Sequence, residues 1–508
     1  VKKMKIAGLD IGTTGCKCTV FDERGKYLDH AYQDYPVKRS MSGHEIDMWV
    51  LRDAVLHVVS EMAFRYPDIM GLGVTSFGET FVLTDEKGNP LDVAMLYTDP
   101  RGKEECQELI EKLGDMHIAE ITGLRPHEMY GICKLMWMKK HKPEIYHAAK
   151  HMFQVEDFIV FVLSGVAQID YSLATRSMVL DVTHLSWSDE IIRAADVDKK
   201  LFSKVVPTGT PAGKIKKQMA ERTGLCENTI IVSVSQDQVA AAIGAGAFTS
   251  DVAVDGAGTV ECMTPIFDTR PDIKELYKGY FATVPYVVPG KYVTYAFSYT
   301  GGALTQWCTK TLAKQEIIEA KEQNKTVNLL LEEKYAAKMK KMGFAEDEPS
   351  GLLVLPHFAG AATPYMDTGS KGAVIGLTTD TTVEEIYMGC LEGVCYEMFQ
   401  TYQYLKTTGI CYKRFHATGG GAHSAVWMQM KADVLNVPFV ALNTVDAGTV
   451  GCAMMTGIAI GIFRDLEDAA QHMVEKTKTY EPREEQHEKY MAHFARYEKL
   501  YDAIRPLV

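Results

Sequence analysis

Asp10 closes the apolar run Lys5-Ile-Ala-Gly-Leu-Asp10-Ile and is followed at once by Gly12-Thr13-Thr14-Gly15. A turn of this composition can hold phosphate. Its glycines let successive N–H groups point inward, its threonines add hydroxyl donors, and a carboxylate beside them suits a hard divalent cation. Apolar and polar residues then alternate through Lys17, Cys18, Thr19 and Val20 to a second turn, Asp22-Glu-Arg-Gly25, so the unit reads strand, turn, strand. That excludes the dinucleotide fingerprint and the Walker loop, because both need a helix to open directly after the glycines. On this segment alone an ordinary tight hairpin with an Asp at its shoulder stands as the alternative.

A second copy of the pattern lies in the other half of the chain. Val252-Ala-Val-Asp255-Gly256-Ala-Gly258-Thr259 again sets an apolar strand before an Asp and a Gly-x-Gly-Thr turn, and Val260 to Pro265 reads as the return strand. Two similar lobes, each offering such a turn to a central cleft, could grip a nucleoside triphosphate from both sides. Between the copies, the β-branched strand Ile230–Ser235 runs through Gln236 and Asp237-Gln238 into an alanine-rich helix. Asp237 could be no more than a helix N-cap. Equally, a carboxylate fixed at a strand end on the cleft side suits the task of orienting a hydroxyl and accepting its proton during phosphoryl transfer. Gly78-Glu79, after the strand Ile69–Thr75, offers a further carboxylate able to accept from sugar or polyol hydroxyls, with a solvated turn residue as the alternative. Tyr97-Thr98-Asp99-Pro100-Arg101 forms a second polar cluster at a strand end.

The elements that must carry these residues alternate in both halves. Trp49 to Tyr66 has apolar residues at helical spacing, and the stretch 316–347, rich in Lys and Glu, reads as a solvated helical excursion. The segment 465–508 reads as charged and helical. With 508 residues, 46% of them hydrophobic, the chain should form more than one globular domain. A net charge of −12 with no basic stripe argues against nucleic acid as a partner. The longest mostly apolar run, Gly448 to Phe463, is 16 residues with four glycines, too short and glycine-rich for a membrane span and better suited to a buried helix against a sheet. Eleven cysteines without a CxxC pair point to reduced core thiols and a cytoplasmic setting. Val1-Lys-Lys-Met4 enters a strand without the apolar core of a signal peptide.

The duplicated turns resemble the actin-like ATPase superfamily, and further motifs resemble one family within it, the FGGY carbohydrate kinases. Lys134-Leu-Met-Trp137 ending before Pro143 looks like the first family signature, read here as reporting fold more than chemistry. Gly301-Gly302-Ala-Leu-Thr-Gln306 resembles the nucleotide region, and Gly360-Ala-Ala-Thr363-Pro364 a family loop. Leu391-Glu392-Gly393 looks like the second signature, which this chain leaves at Gly389 and Cys390. Thr418-Gly419-Gly420-Gly421-Ala-His-Ser424 resembles the loop at the adenine end of ATP, with Ser424 capping the helix that follows.

The resemblance, which spans Ile6 to about Phe463, implies an α/β fold of two actin-like, ribonuclease H-like lobes, residues 1–248 and 249–508, with an interdomain cleft. It implies Mg-ATP-dependent phosphorylation of a sugar or polyol hydroxyl, with Asp237 as catalytic base and Asp10 as the metal residue. Gly12, Thr13, Thr14, Gly258, Thr259, Gly302, Gln306, Gly420, Gly421 and Ser424 would hold ATP, and Gly78, Glu79, Tyr97, Asp99, Asp237 and Gln238 the acceptor. Glycerol-phosphorylating members carry Arg-Glu, and xylulose-phosphorylating members Met-His, where this chain has Gly78-Glu79; Met129 stands where the glycerol enzymes present an aromatic hydroxyl. Lost bulk at Gly78 and Met129 predicts a larger acceptor, a xylulose-like pentulose first, with glycerol, ribulose, ribitol, erythritol or gluconate as alternatives. An actin-like ATPase driving a partner protein, or a catalytically silent sugar-binding regulator, is the reading from another class. The partners expected are sugar or polyol and ATP, without nucleic acid or membrane, and a homodimer is the candidate assembly.

Overall fold

The computed structural model describes residues 4–41, 43–444 and 446–508; Val1 to Lys3, the start of the expected leaderless N-terminus, lie outside the described residues. Two large sheets organise the chain. In the first, the strands run Thr210–Lys214, Ile230–Gln236, Ile69–Ser76, Lys5–Ile11, Gly15–Phe21, Tyr27–Asp34 across the sheet. Lys5–Ile11 pairs antiparallel with Gly15–Phe21 on one side and parallel with Ile69–Ser76 on the other. The second sheet repeats the arrangement: Val252–Ala257 pairs antiparallel with Glu261–Phe267 and parallel with Arg414–Thr418, and Phe439–Leu442 extends the parallel side. A hairpin on one side of a central strand and parallel strands on the other is the ribonuclease H-like plan, present twice. The parallel strands are near-continuous apolar runs because helices cover both faces.

Local rules account for the element ends. Asp47 caps the helix Met48–Arg65, accepting from the Trp49 N–H at 2.8 Å. The 25-residue helix Val383–Thr407 opens on a capping box in which the Thr382 N–H donates to Glu385 at 2.7 Å. The first lobe's sheet is closed by a helix from the far end of the chain. Ala447–Ala459 packs on Lys5–Ile11 and Ile69–Ser76 and crosses the helix Asp237–Gly244. At that crossing a Cβ on Gly244 would stand 1.9 Å from the Ala447 carbonyl oxygen, and one on Gly451 1.9 Å from that of Ala240. Glycine at both positions is what lets the two backbones touch. The apolar run 448–463 is therefore a buried helix on a sheet, and no described helix is long and apolar enough to cross a membrane.

Two segments depart from expectation. Within 465–508, Lys476–Tyr480 is a strand on the edge of the second sheet, antiparallel to Phe439–Leu442. Four of its five residues are exposed, so it carries charge as an edge strand does and shows no apolar period that would reveal it. The charged stretch 316–347 does fold into helices, Lys314–Glu322 and Val327–Lys341, yet the second buries Leu330, Leu331, Tyr335 and Met339. It is a packed element of the second lobe, not a solvated excursion. All eleven cysteines are free thiols.

Candidate active site

Three aspartates meet on the cleft floor. Asp10 ends its strand, Asp237 opens the helix after Ile230–Gln236, and Asp446 precedes Ala447–Ala459; with Gln238, Thr418 and Gly420 they line a cavity of about 460 Å³. Burial, then the charges of Asp446 and Asp237, push the Asp10 carboxyl well above the usual range, with Lys17 opposing. Lys17 is Asp10's cross-strand partner, and its ammonium donates to Asp446 at 2.6 Å. Asp446 also caps its helix by accepting from the Thr449 N–H at 3.2 Å. Sequence reasoning missed Asp446. The available signal was an Asp directly before a helix that begins Ala447-Gly448. A Cβ on Gly448 would stand 2.7 Å from Asp10 Oδ2, so the helix start rests on the carboxylate.

Asp237 is not the helix cap. That position is Gln236, whose side-chain oxygen accepts from the Gln238 N–H at 3.1 Å. Asp237 Oδ1 accepts from the same N–H at 2.7 Å. Burial pushes its pKa up to about 7; the Gln238 N–H and Arg176 oppose this, and Glu79 adds to it. The strand end is itself pinned, since the Gln236 N–H donates to Ser172 Oγ at 2.9 Å and that hydroxyl donates to Asp170 at 2.8 Å. Gln238 Oε1 accepts from the Cys262 thiol at 3.0 Å, a contact between the two lobes.

Beside Asp237 stands a second buried carboxylate. Glu79 has φ of 64°, a left-handed conformation rare for a non-glycine residue and frequent at functional sites. Arg176 Nε donates to Glu79 Oε1 at 2.6 Å, and a second guanidinium nitrogen pairs with the same oxygen. Here two sequence expectations change. Gly78 does not leave the pocket open: a Cβ there would stand 2.7 Å from Arg176 Cγ, so the vacated space holds an arginine from another segment. Nor does this neighbourhood lack an aromatic residue: buried Tyr130, one residue on from Met129, sets its ring 5.3 Å from the Arg176 guanidinium.

Asp99 is buried and fully engaged within its own neighbourhood, accepting from the His44 N–H at 2.7 Å and from Arg101 N–H and Nε at 2.9 and 2.8 Å. Burial pushes its pKa up, but those bonds together outweigh it and hold the carboxyl below its usual value, so Asp99 orders the loop, while half-buried Tyr97 lies within electrostatic reach of Tyr299 of the second lobe. Arg101 lies over the Trp137 ring at 5.1 Å. Lys134, fully buried, donates to the carbonyls of Glu128 and Met129 at 3.0 Å each. The signature residues thus brace the loops of this pocket.

A second cavity, about 470 Å³, opens beside the first and shares Gly420 with it. Gly258, Thr259, Gly302, Gln306, Gly421 and Ser424 line it together. Gly12, Thr13 and Thr14 sit on the hairpin turn beyond Asp10, outside the lining of either cavity. Ser424 caps its helix by accepting from the Trp427 N–H at 3.1 Å and donates to Glu332 at 2.9 Å, while Asn328 adds to the lining, so the charged helix Val327–Lys341 reaches the site. Beneath the second turn, Asp255 differs from Asp10: it is buried against Lys431, whose ammonium donates to Asp255 at 2.8 Å and also pairs with Glu261. Only the first copy keeps its carboxylate on the cleft floor.

Two ribonuclease H-like lobes that set carboxylates at a cleft floor, next to a glycine-lined cavity, define a phosphotransferase of the sugar-kinase type. The profile for the N-terminal domain of the FGGY family of carbohydrate kinases matches residues 5–244, and that for its C-terminal domain residues 258–460. The chain belongs to the FGGY family of carbohydrate kinases. It is 24% identical over 507 residues to a xylulose kinase of Bacillus subtilis, covering 99% of this chain and 97% of that one. It is 27% identical over 500 residues to a glycerol kinase of Halorhodospira halophila, covering 95% and 93%. The fold is also that of the crystal structure of a gluconate kinase from Lactobacillus acidophilus, with a TM-score of 0.85 at 22% identity over 99% of this chain and 98% of that one.

Proposed function

We propose that this carbohydrate kinase moves the terminal phosphoryl group of ATP onto a sugar or polyol hydroxyl, with Asp237 as the base. The observation that supports this reading is the position and state of Asp237. Its carboxyl lies between the cavity floor and the Glu79–Arg176 pair, and its pKa of about 7 suits a base at neutral pH. Asp237 would hold the acceptor hydroxyl and take its proton as the oxygen attacks. Thr259 would donate to the phosphates, Gly258 and Gly302, whose own N–H groups bond within the turn, would keep that wall bare of side chains, and Gln306, Gly421 and Ser424 would take the nucleoside end. The donor set for a metal is all carboxylate, Asp10 and Asp446, which fits Mg2+. Among the described residues no group of three His, Cys, Asp or Glu could hold an ion alone, so phosphates and waters would have to complete the shell. Bound there, the ion would offset charge on the phosphates. A cytoplasmic setting accords with the free thiols.

For the acceptor we carry a xylulose-like pentulose first, in line with the xylulose kinase among the relatives. A short polyol such as glycerol is the second reading, and Arg176 favours it, because guanidinium, carboxylate and the Tyr130 ring crowd a small space. ADP release with glycerol, xylulose, ribulose, ribitol and gluconate separates the two. The base is tested by Asp237→Asn, which keeps the shape: binding of sugar and ATP should persist while kcat falls by about two to four powers of ten. Near-normal turnover in that variant removes Asp237 from the mechanism, and ATP turnover indifferent to every acceptor turns the reading toward an ATPase.

A further inference from the structure

Arg176 holds a carboxylate with part of its guanidinium and leaves the rest unused. Nε and one terminal nitrogen serve Glu79, while Nη1 is buried without a hydrogen-bond partner. The rings of Tyr130 and Tyr295 lie 5.3 and 5.7 Å from the guanidinium on either lobe's side, and the Tyr295 hydroxyl, from the second lobe, is likewise buried and unpartnered. A buried N–H without an acceptor is costly, and a guanidinium can only donate. Two orphaned polar groups from two lobes, beside a carboxylate and within the field of Asp237, are each short of one hydrogen-bond partner. Gly78 is the residue that makes room for the arginine, since any Cβ there would displace the Arg176 stem.

We propose that Arg176 is the residue that selects the acceptor, its Nη1 donating, with Tyr295 beside it, to the oxygen on the carbon next to the phosphorylated hydroxyl. Glu79 then accepts from a hydroxyl on the same substrate. The ligand class this defines is a vicinal diol or an α-hydroxyketone, in which one oxygen accepts from Arg176 and a neighbouring O–H donates to Glu79. The assignment rests on the kinase reading above.

The test pairs variants with substrates on the full-length enzyme. The best acceptor of the panel is compared with its analogue lacking that adjacent oxygen, in wild type, Arg176→Lys and Arg176→Met. A rise in melting temperature with ADP reports folding and nucleotide binding in each. In wild type the analogue should lose about 100-fold or more in kcat/KM. Arg176→Lys and Arg176→Met should lose at least 10-fold and 100-fold with the full acceptor, and lose little more with the analogue, because the oxygen has no donor left to miss. Should Arg176→Met fail the ADP shift, Glu79→Gln combined with Arg176→Met removes the stranded carboxylate and is measured in its place, and Arg176→Lys retains a charge for Glu79 and is decisive by itself. Variants within threefold of wild type, or an analogue penalty that persists undiminished in them, overturn the assignment while leaving the kinase reading intact. A wild type that releases ADP with no acceptor instead sinks the kinase reading.

Discussion

A carboxyl with a pKa near 7 makes activity depend on pH in a definite sense. Protonated Asp237 cannot accept the hydroxyl proton, so kcat/KM should fall about tenfold for each pH unit below roughly 7 and level off above it. A pH profile read by coupled ADP release checks this, and the limb should vanish in Asp237→Asn; an acid limb centred near 4 would mean that Asp237 is far better solvated than its burial indicates. Asp10 offers a steric test beside an electrostatic one. Gly448→Ala places a methyl 2.7 Å from Asp10 Oδ2, so it should weaken Mg-ATP affinity much as Asp10→Ala does while acceptor binding measured without nucleotide stays unchanged. A loss of acceptor binding instead would relocate the metal.

At the level of elements, the crossing of Asp237–Gly244 and Ala447–Ala459 admits no side chain. Gly451→Ala drives a Cβ into the Ala240 carbonyl, an overpacking that neither backbone can yield to cheaply. A loss of about 1 to 3 kcal/mol or more is expected in denaturant unfolding, and a loss below 0.5 kcal/mol would mean the helices slide freely. The Asp255–Lys431–Glu261 cluster carries a heavier penalty. Lys431→Met strands two fully buried carboxylates and should cost about 3 to 5 kcal/mol. Its expected effect on turnover is indirect, through the Gly258-Thr259 turn.

Across the whole molecule the lobes are not independent. The helix that covers the first sheet comes from residues 447–459, and the Lys17–Asp446 pair joins segments 429 residues apart. A fragment ending at residue 248 would expose that sheet face, and the intact protein should melt in one calorimetric transition instead of two. Saturating ADP should raise that single transition, by about 2.7 kcal/mol at a hundred times its dissociation constant. Two well-separated transitions, of which ADP moves one, would show that the interlobe helix adds little.

What the amino-acid sequence determined by itself was local or repeated. The strand, turn and strand around Asp10, its copy around Asp255, the cap at Ser424, and the turns at Gly258, Gly301-Gly302 and Gly419-Gly420-Gly421 all depend on residues within a few positions of one another. Such units keep their geometry wherever the chain carries them, so each turn is legible alone; the grouping of Gly258, Thr259, Gly302, Gln306, Gly421 and Ser424 was implied by the family resemblance, and the one cavity they share is a feature of the tertiary structure. Tertiary structure alone decided which charges meet. Arg176 reaches Glu79 across 97 residues, Lys431 reaches Asp255 across 176, and Lys17 reaches Asp446 across 429. No periodicity encodes such pairs, because each exists only where two distant backbones approach. That is why Gly78 read as an opening when its missing side chain is the space an arginine fills, and why two matching aspartates at two matching turns have different fates, one on the cleft floor and one neutralised by a buried lysine.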